Sequence, residues 1–260
     1  MDEFPLHRHY LHYSELPYSQ RVLYTATLLV IGTAYILALL QVYFTYAGRS
    51  GNPNMISYQD IVVGYSGNKQ GSRLESALRG PMASMLPSDD RQVIFTWLAD
   101  GSSRQTYDKQ IKPILDNKCM ACHSGTNPHL ANLSDYDNVK KMTAVDTGPT
   151  VATLVRVSHI HLFGLTFIFF LVGLMFSHAY VRPVWLKCTV VAVPFAAILV
   201  DVSSWYIIRY FNPFALVEIL AGMLMAACFA FMWLVTMYQL WFSSPPSAVA
   251  QREAERPVVG

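Results

Sequence analysis

The chain is poor in charge. Asp, Glu, Lys and Arg make up 14% of its 260 residues, against about 25% in ordinary soluble domains. It has no long run of like charge, and its formal charge of +2 is scattered. A nucleic-acid binder with a basic face is excluded on that ground. There are only four cysteines, too few for a disulfide scaffold. Gly64, Gly67, Gly71 and Gly80 recur without the spacing of a nucleotide loop. What is abundant is apolar: 53% of the residues are hydrophobic. That excludes a disordered chain and argues against a wholly soluble globule.

The apolar residues gather in four long blocks. Val22–Ala47 carries no charge, and at about 1.5 Å per residue it can cross a hydrocarbon layer of roughly 30 Å. It lacks the compact apolar core and small-residue cleavage site of a secretory leader, so a retained signal-anchor helix is expected. Val157–Tyr180, Lys187–Ile208 and Pro213–Phe242 follow. Helices satisfy every backbone amide internally in lipid, so the fold class expected is an all-α membrane protein with four transmembrane helices. The last block exceeds the minimum span, which calls for tilt or interfacial ends. Short turns at 181–186 and 209–212 suit antiparallel neighbours. Residues 48–156 are enough for a small helical domain between spans one and two. Residues 1–21 form a leading segment, and 243–260 a Ser/Pro/Ala-rich tail without packed structure.

The insert contains Cys119-Met120-Ala121-Cys122-His123. This C-x-x-C-H spacing is that of covalent c-type haem attachment. Two thiols one helical turn apart can form thioethers to one porphyrin, and the adjacent imidazole can reach the iron. A redox dithiol does not require the histidine, and a zinc site needs further ligands. Cys188 and Cys228 fall inside the expected spans and read as small buried hydrophobes.

Flanking residues extend the reading. Tyr107, Ile111, Ile114 and Leu115 give a helix over 105–118 that Pro113 either starts or bends. Ser88-Asp89-Asp90 precedes Val93, Ile94, Trp97 and Leu98, a second helix with Ser88 as N-cap and Gly101 as its stop. With Ile111-Lys112-Pro113-Ile114-Leu115 before the cysteines and Leu130–Tyr136 after them, the segment resembles small bacterial class I-like cytochrome c domains. Gly80–Pro87 resembles that family's Met-Pro ligand loop, and Ser88–Leu98 its last helix ending in Trp. These precede the haem motif here, so the resemblance implies a circularly permuted, membrane-anchored monohaem cytochrome over Gly71–Asp146. It implies His123 as the proximal iron ligand and Met85 as the distal one, with Met82 next and Met142 after it. His129 would need a tight reversal to reach the opposite haem face.

Haem attachment happens outside the cytoplasm, which expects the insert in the periplasm of a bacterial inner membrane and both termini in the cytoplasm. Charge bias adds little: Arg8, Arg21, Arg182 and Lys187 favour this orientation and Arg209 opposes it. Under it, His159, His161, Asp201 and Glu218 fall within roughly 10 Å of the outer boundary. The two histidines point about 200° apart on one helix. The four read as interfacial histidines with a capped Asp and a hydrogen-bonded Glu, as a quinone or proton-coupled redox pocket, as an additional metal site, or as a subunit contact. A bis-His haem inside the bundle is disfavoured, because His178 lies about 25 Å from His161 along one helix.

The function expected is a c-type cytochrome subunit of a heteromeric redox complex. A membrane redox subunit or quinol is its donor, and a soluble cytochrome, cupredoxin or oxidoreductase subunit its acceptor. The alternatives are a quinol-oxidising module near the outer face and a haem-based redox sensor.

Overall fold

A computed structural model describes residues 12–50, 54–128 and 130–243. The described chain is all-α. α1 (Tyr18–Tyr46) is followed by seven short helices: α2 (Tyr58–Ser66), α3 (Arg73–Arg79), α4 (Ser88–Ala99), α5 (Arg104–Thr106), α6 (Lys112–Lys118), α7 (Met120–His123) and α8 (Tyr136–Met142). The long α9 (Val151–Phe176), α10 (Val184–Ile208) and α11 (Phe214–Phe242) close the order. α1, α9, α10 and α11 are long and apolar enough to cross a membrane. The protein is therefore an all-α membrane protein with a large helical insert after its first span. His7, His9, His129 and nearly all of the tail lie outside the described residues.

The second span was expected over 157–180 and runs Val151–Phe176. Thr150 caps it, its hydroxyl accepting from the Thr153 N–H at 3.2 Å, so Arg156 lies inside the helix. Its end is fixed by Lys187, whose Nζ donates to the Ser177 and Ala179 carbonyls at 2.6 and 2.8 Å. Lys187 belongs to α10, which starts three residues before the expected boundary.

The chain divides into two compact units. The first holds residues up to Leu37, Val155–Ser204 and those from Val217 onward. Its core joins Leu28, Phe169, Val172, Phe176, Ile198, Met225 and Met232. Tyr35 stacks on Phe229 with ring centroids 4.0 Å apart. The Trp233 indole N–H donates to the Leu28 carbonyl at 2.8 Å. That approach needs Gly32, where a Cβ would stand 2.8 Å from the indole nitrogen. Tyr13 is fully buried and donates to the Met175 carbonyl at 2.6 Å.

The second unit holds Ala38–Leu154 and Trp205–Leu216. Its short helices are capped locally: Ser57 and Asp60 form a reciprocal capping box on α2, Ser72 caps α3 and Asp135 caps α8. Ile94, Trp97, Tyr107, Ile111, Leu115 and Val139 form the centre of its core. Tyr65 stacks on Trp205 at 6.0 Å, and the Tyr46 hydroxyl donates to that of Tyr65 at 2.8 Å. Residues 71 and 146 meet, the Asp146 N–H donating to the Gly71 carbonyl at 3.0 Å. Gly67 and Gly148 hold positive φ beside this closure, with any Cβ there only 2.3 Å from backbone.

Two local expectations change. Pro87, not Ser88, is the cap residue of α4, and the Ser88 hydroxyl turns to Asp89 at 3.2 Å. Proline fixes φ there and needs no amide partner. Val93 is exposed, so the buried stripe of α4 is Ile94 and Trp97. The helix expected over 105–118 forms, with a π turn at Tyr107–Ile111. Pro113 has no N–H for the carbonyl four residues back, and the ladder slips: the Lys112 N–H donates to the Tyr107 carbonyl, five residues back.

Candidate functional site

Cys119 ends α6 and opens α7. Its N–H donates to the Leu115 carbonyl at 2.8 Å, while its own carbonyl accepts from Cys122 and His123 at 3.1 and 2.9 Å. The C-x-x-C-H residues thus form one helical turn on a rigid lead-in. Both cysteines are unpaired; Cys119 is half-buried and Cys122 exposed. Burial pushes the Cys119 thiol up, and the Asp90 carboxylate adds to the shift. A nucleophilic redox cysteine needs the reverse.

His123 is half-buried, and its Nδ1 lies 2.7 Å from the Ala131 carbonyl. A carbonyl oxygen only accepts, so Nδ1 donates, and this bond selects the tautomer in which Nε2 carries the lone pair. This is the orientation in which metal-binding imidazoles are held. The supporting loop is built by backbone. The Leu133 N–H donates to the His123 carbonyl at 2.9 Å. Gly125 at φ 89° makes room for Asn132, whose amide nitrogen would lie 2.7 Å from a Cβ at that position.

Met82, Cys119, Ile114, Met120, Ala131 and Met142 all pack, partly buried, against the core of the insert. The expected distal ligands separate here. Met85 is 72% exposed, whereas Met82 belongs to the same apolar cluster as Cys119. The Met82 N–H donates to the Ala77 carbonyl at 2.9 Å, which anchors its loop to the end of α3. Two thiols and an imidazole on one turn, with partly buried methionines in the same core, are residue types that suit a covalently held haem. α4 packs on the π turn, with Trp97 and Tyr107 rings 6.0 Å apart and the Trp97 N–H donating to the Ser103 carbonyl at 2.9 Å. A solvent-open cavity of about 790 Å³ in the insert is lined by Lys69, Glu75, Arg79, Phe95 and Lys140 and does not include the cysteine turn.

In the membrane helices the four expected polar residues divide. His159 and His161 are both exposed. The His159 ring meets Phe163 edge-on at 5.7 Å, and His161 Nδ1 lies 3.0 Å from the Val157 carbonyl. Asp201 is buried and Glu218 half-buried. Among the described residues no three His, Cys, Asp or Glu side chains stand close enough to hold one metal ion.

The motif made Cys119, Cys122 and His123 visible beforehand. Ala131, Gly125 and Asn132 were not, because they act through a carbonyl and a turn that leave no side-chain signature. A family model described as a transmembrane helical domain, Aq_1264_TM, is similar to residues 147–247. No curated protein and no solved structure matches the chain.

Proposed function

We propose that the protein is a membrane-bound electron-transfer subunit whose insert holds one haem c. Cys119 and Cys122 would attach the macrocycle through thioethers, and His123 Nε2 and the Met82 sulfur would hold its iron. A bound haem iron supplies a one-electron couple, ferrous to ferric, and an axial thioether tends to raise its potential. The observation that carries this reading is the His123 ring, held by the Ala131 carbonyl with Nε2 free beside two thiols on one turn. The apposition of α4 and the 104–118 helix supports the permuted cytochrome order.

The protein's own groups shape the rest. Ala131 fixes the tautomer and plane of the imidazole. Met82, partly buried against the insert core, would offer a neutral sulfur ligand from an apolar setting. The insert faces the periplasm in this reading. The donor is a membrane redox subunit or quinol, and the acceptor a soluble cytochrome, cupredoxin or oxidoreductase subunit.

The test compares optical spectra of Met82→Ala and Met85→Ala in protein matured with its haem-attachment machinery. Met82→Ala is expected to lose the thioether-to-iron charge-transfer band of the ferric state and Met85→Ala to keep it. The reverse result replaces Met82 by Met85; survival of the band in both removes the pair.

A further inference from the structure

Three aspartates are buried in the described structure, and they differ in what they meet. Asp60 is wholly buried, and its carboxylate accepts from the Ser50 N–H, the Ser57 N–H and the Ser57 hydroxyl at 2.6, 2.7 and 2.7 Å. Asp146, 7% exposed, accepts from the N–H groups of Asn68 and Gly148 at 3.2 and 2.9 Å. Asp201 is 8% exposed inside α10, two turns from its end. Its carboxyl receives no hydrogen bond and no ion pair from any described residue. The one nearby hydroxyl, that of Ser204, donates at 2.6 Å to the Asp201 main-chain carbonyl instead.

The cause is where each residue sits. Loops and helix starts have spare N–H groups, whereas inside a long helix every amide is committed to the ladder. A carboxyl at mid-helix must find a side chain, water, a cation or a proton. In an apolar bundle an uncompensated carboxylate is costly, and such residues mark ion or proton routes more often than packing. The titratable and charged groups on the long helices are Arg156, His159 and His161 on α9, Glu218, Cys228 and Tyr238 on α11, Tyr18, Arg21, Tyr24, Tyr35, Tyr43 and Tyr46 on α1, and Lys187, Cys188 and Tyr206 on α10 itself. None of them bonds to Asp201 in the described structure. Within one turn of it on α10, Ala197, Ile198, Val202, Ser204 and Trp205 are buried.

We propose that Asp201 is a proton-binding site of the membrane bundle. One carboxylate oxygen takes up a proton to form the neutral acid, and the charge changes by one with no electron moved. A proton is the cation that a single carboxyl without further ligands can hold, since the described residues bring no third metal-binding side chain. The site stands independently of the haem assignment and goes beyond it: a redox subunit with such a group can couple electron transfer to proton exchange.

Dicyclohexylcarbodiimide, which enters lipid and adds to protonated carboxyls, tests this on the full chain in native membranes. Peptide mass spectrometry is expected to find one adduct, on the peptide containing Asp201. Its yield should fall as pH rises, and Asp60 and Asp146 should stay unmodified. Asp201→Asn should lose the adduct, and Asp201→Glu, which preserves the charge if the amide variant fails to fold, should keep it. Four results overturn the proposal: no adduct on Asp201, an adduct on Glu218 alone, a yield that does not change with pH, or a yield suppressed by sodium or calcium ions at constant pH. Haem content, measured on the same preparation, is expected not to change with the label, so the two readings fail separately.

Discussion

The insert and the membrane bundle handle buried polarity in opposite ways. In the insert, short helices and the loops between them leave many unpaired N–H groups; Asp60, Ser57, Ser72 and Asp135 use those at helix starts and Asp146 those of the Asn68 and Gly148 loops. In the bundle, satisfied polar side chains gather at helix ends. Tyr13, Arg21 and Lys187 donate to the carbonyls of Met175, Leu240 and Ser177, and Gln239 exchanges two bonds with the Tyr180 backbone. Away from the ends such contacts are fewer, the Trp233 N–H to the Leu28 carbonyl among them, and the Asp201 carboxyl has no partner among the described residues. Helix length therefore decides whether a buried carboxyl is a structural fastener or a chemical group.

That contrast can be broken by substitution. The largest effect is expected from Trp97→Ala, which empties the insert core and removes the bond to Ser103. It should cost about 3–5 kcal/mol. Hydrogen exchange should rise over residues 88–118 and stay unchanged in α9–α11; equal loosening of both regions would show that the insert has no stability of its own. Asp60→Ala strands three donors around a buried site. A loss of about 1–3 kcal/mol in denaturant unfolding of the insert is expected. Ser57→Ala removes one cap of α2 and should cost about 1 kcal/mol, confined to protection of that helix.

The smallest effect is a pH dependence ahead of the first span. His12 is buried beside Gln239, and burial lowers its pKa; Gln239 and Glu15 oppose the shift, and Arg21 and His178 add to it. A histidine whose folded value is depressed contributes its packing fully above the ordinary value of about 6.5. That contribution is lost as pH falls through the lowered value. Exchange protection at Tyr13–Leu16, normalised for intrinsic rates, should decline on acidification, and His12→Gln should flatten the decline.

The sequence made the four spans legible because charge-free runs leave few alternatives in lipid. It placed the ends of the second span poorly, since Arg156 reads as a solvent residue although Thr150 starts the helix before it. The Cys119–His123 turn was legible from spacing alone. The different exposure of Met82 and Met85 was not: two thioethers three residues apart look alike until the loop is folded and one faces solvent. His159, His161, Asp201 and Glu218 shared a depth on paper, but depth says nothing of rotation about each helix axis. The two histidines face outward, and only the carboxyls turn in. Ser88 lost its capping place to Pro87 because both suit a helix start and only backbone geometry separates them.

Intact-mass analysis and peptide sequencing of the chain, matured with its native haem-attachment machinery, bear most directly on the account. The expected result is a peptide containing Cys119 and Cys122 with one haem bound through both sulfurs, together with the pyridine-haemochrome spectrum of a doubly thioether-linked haem. The same peptide recovered with two unmodified thiols, and no haemochrome absorbance, would contradict it.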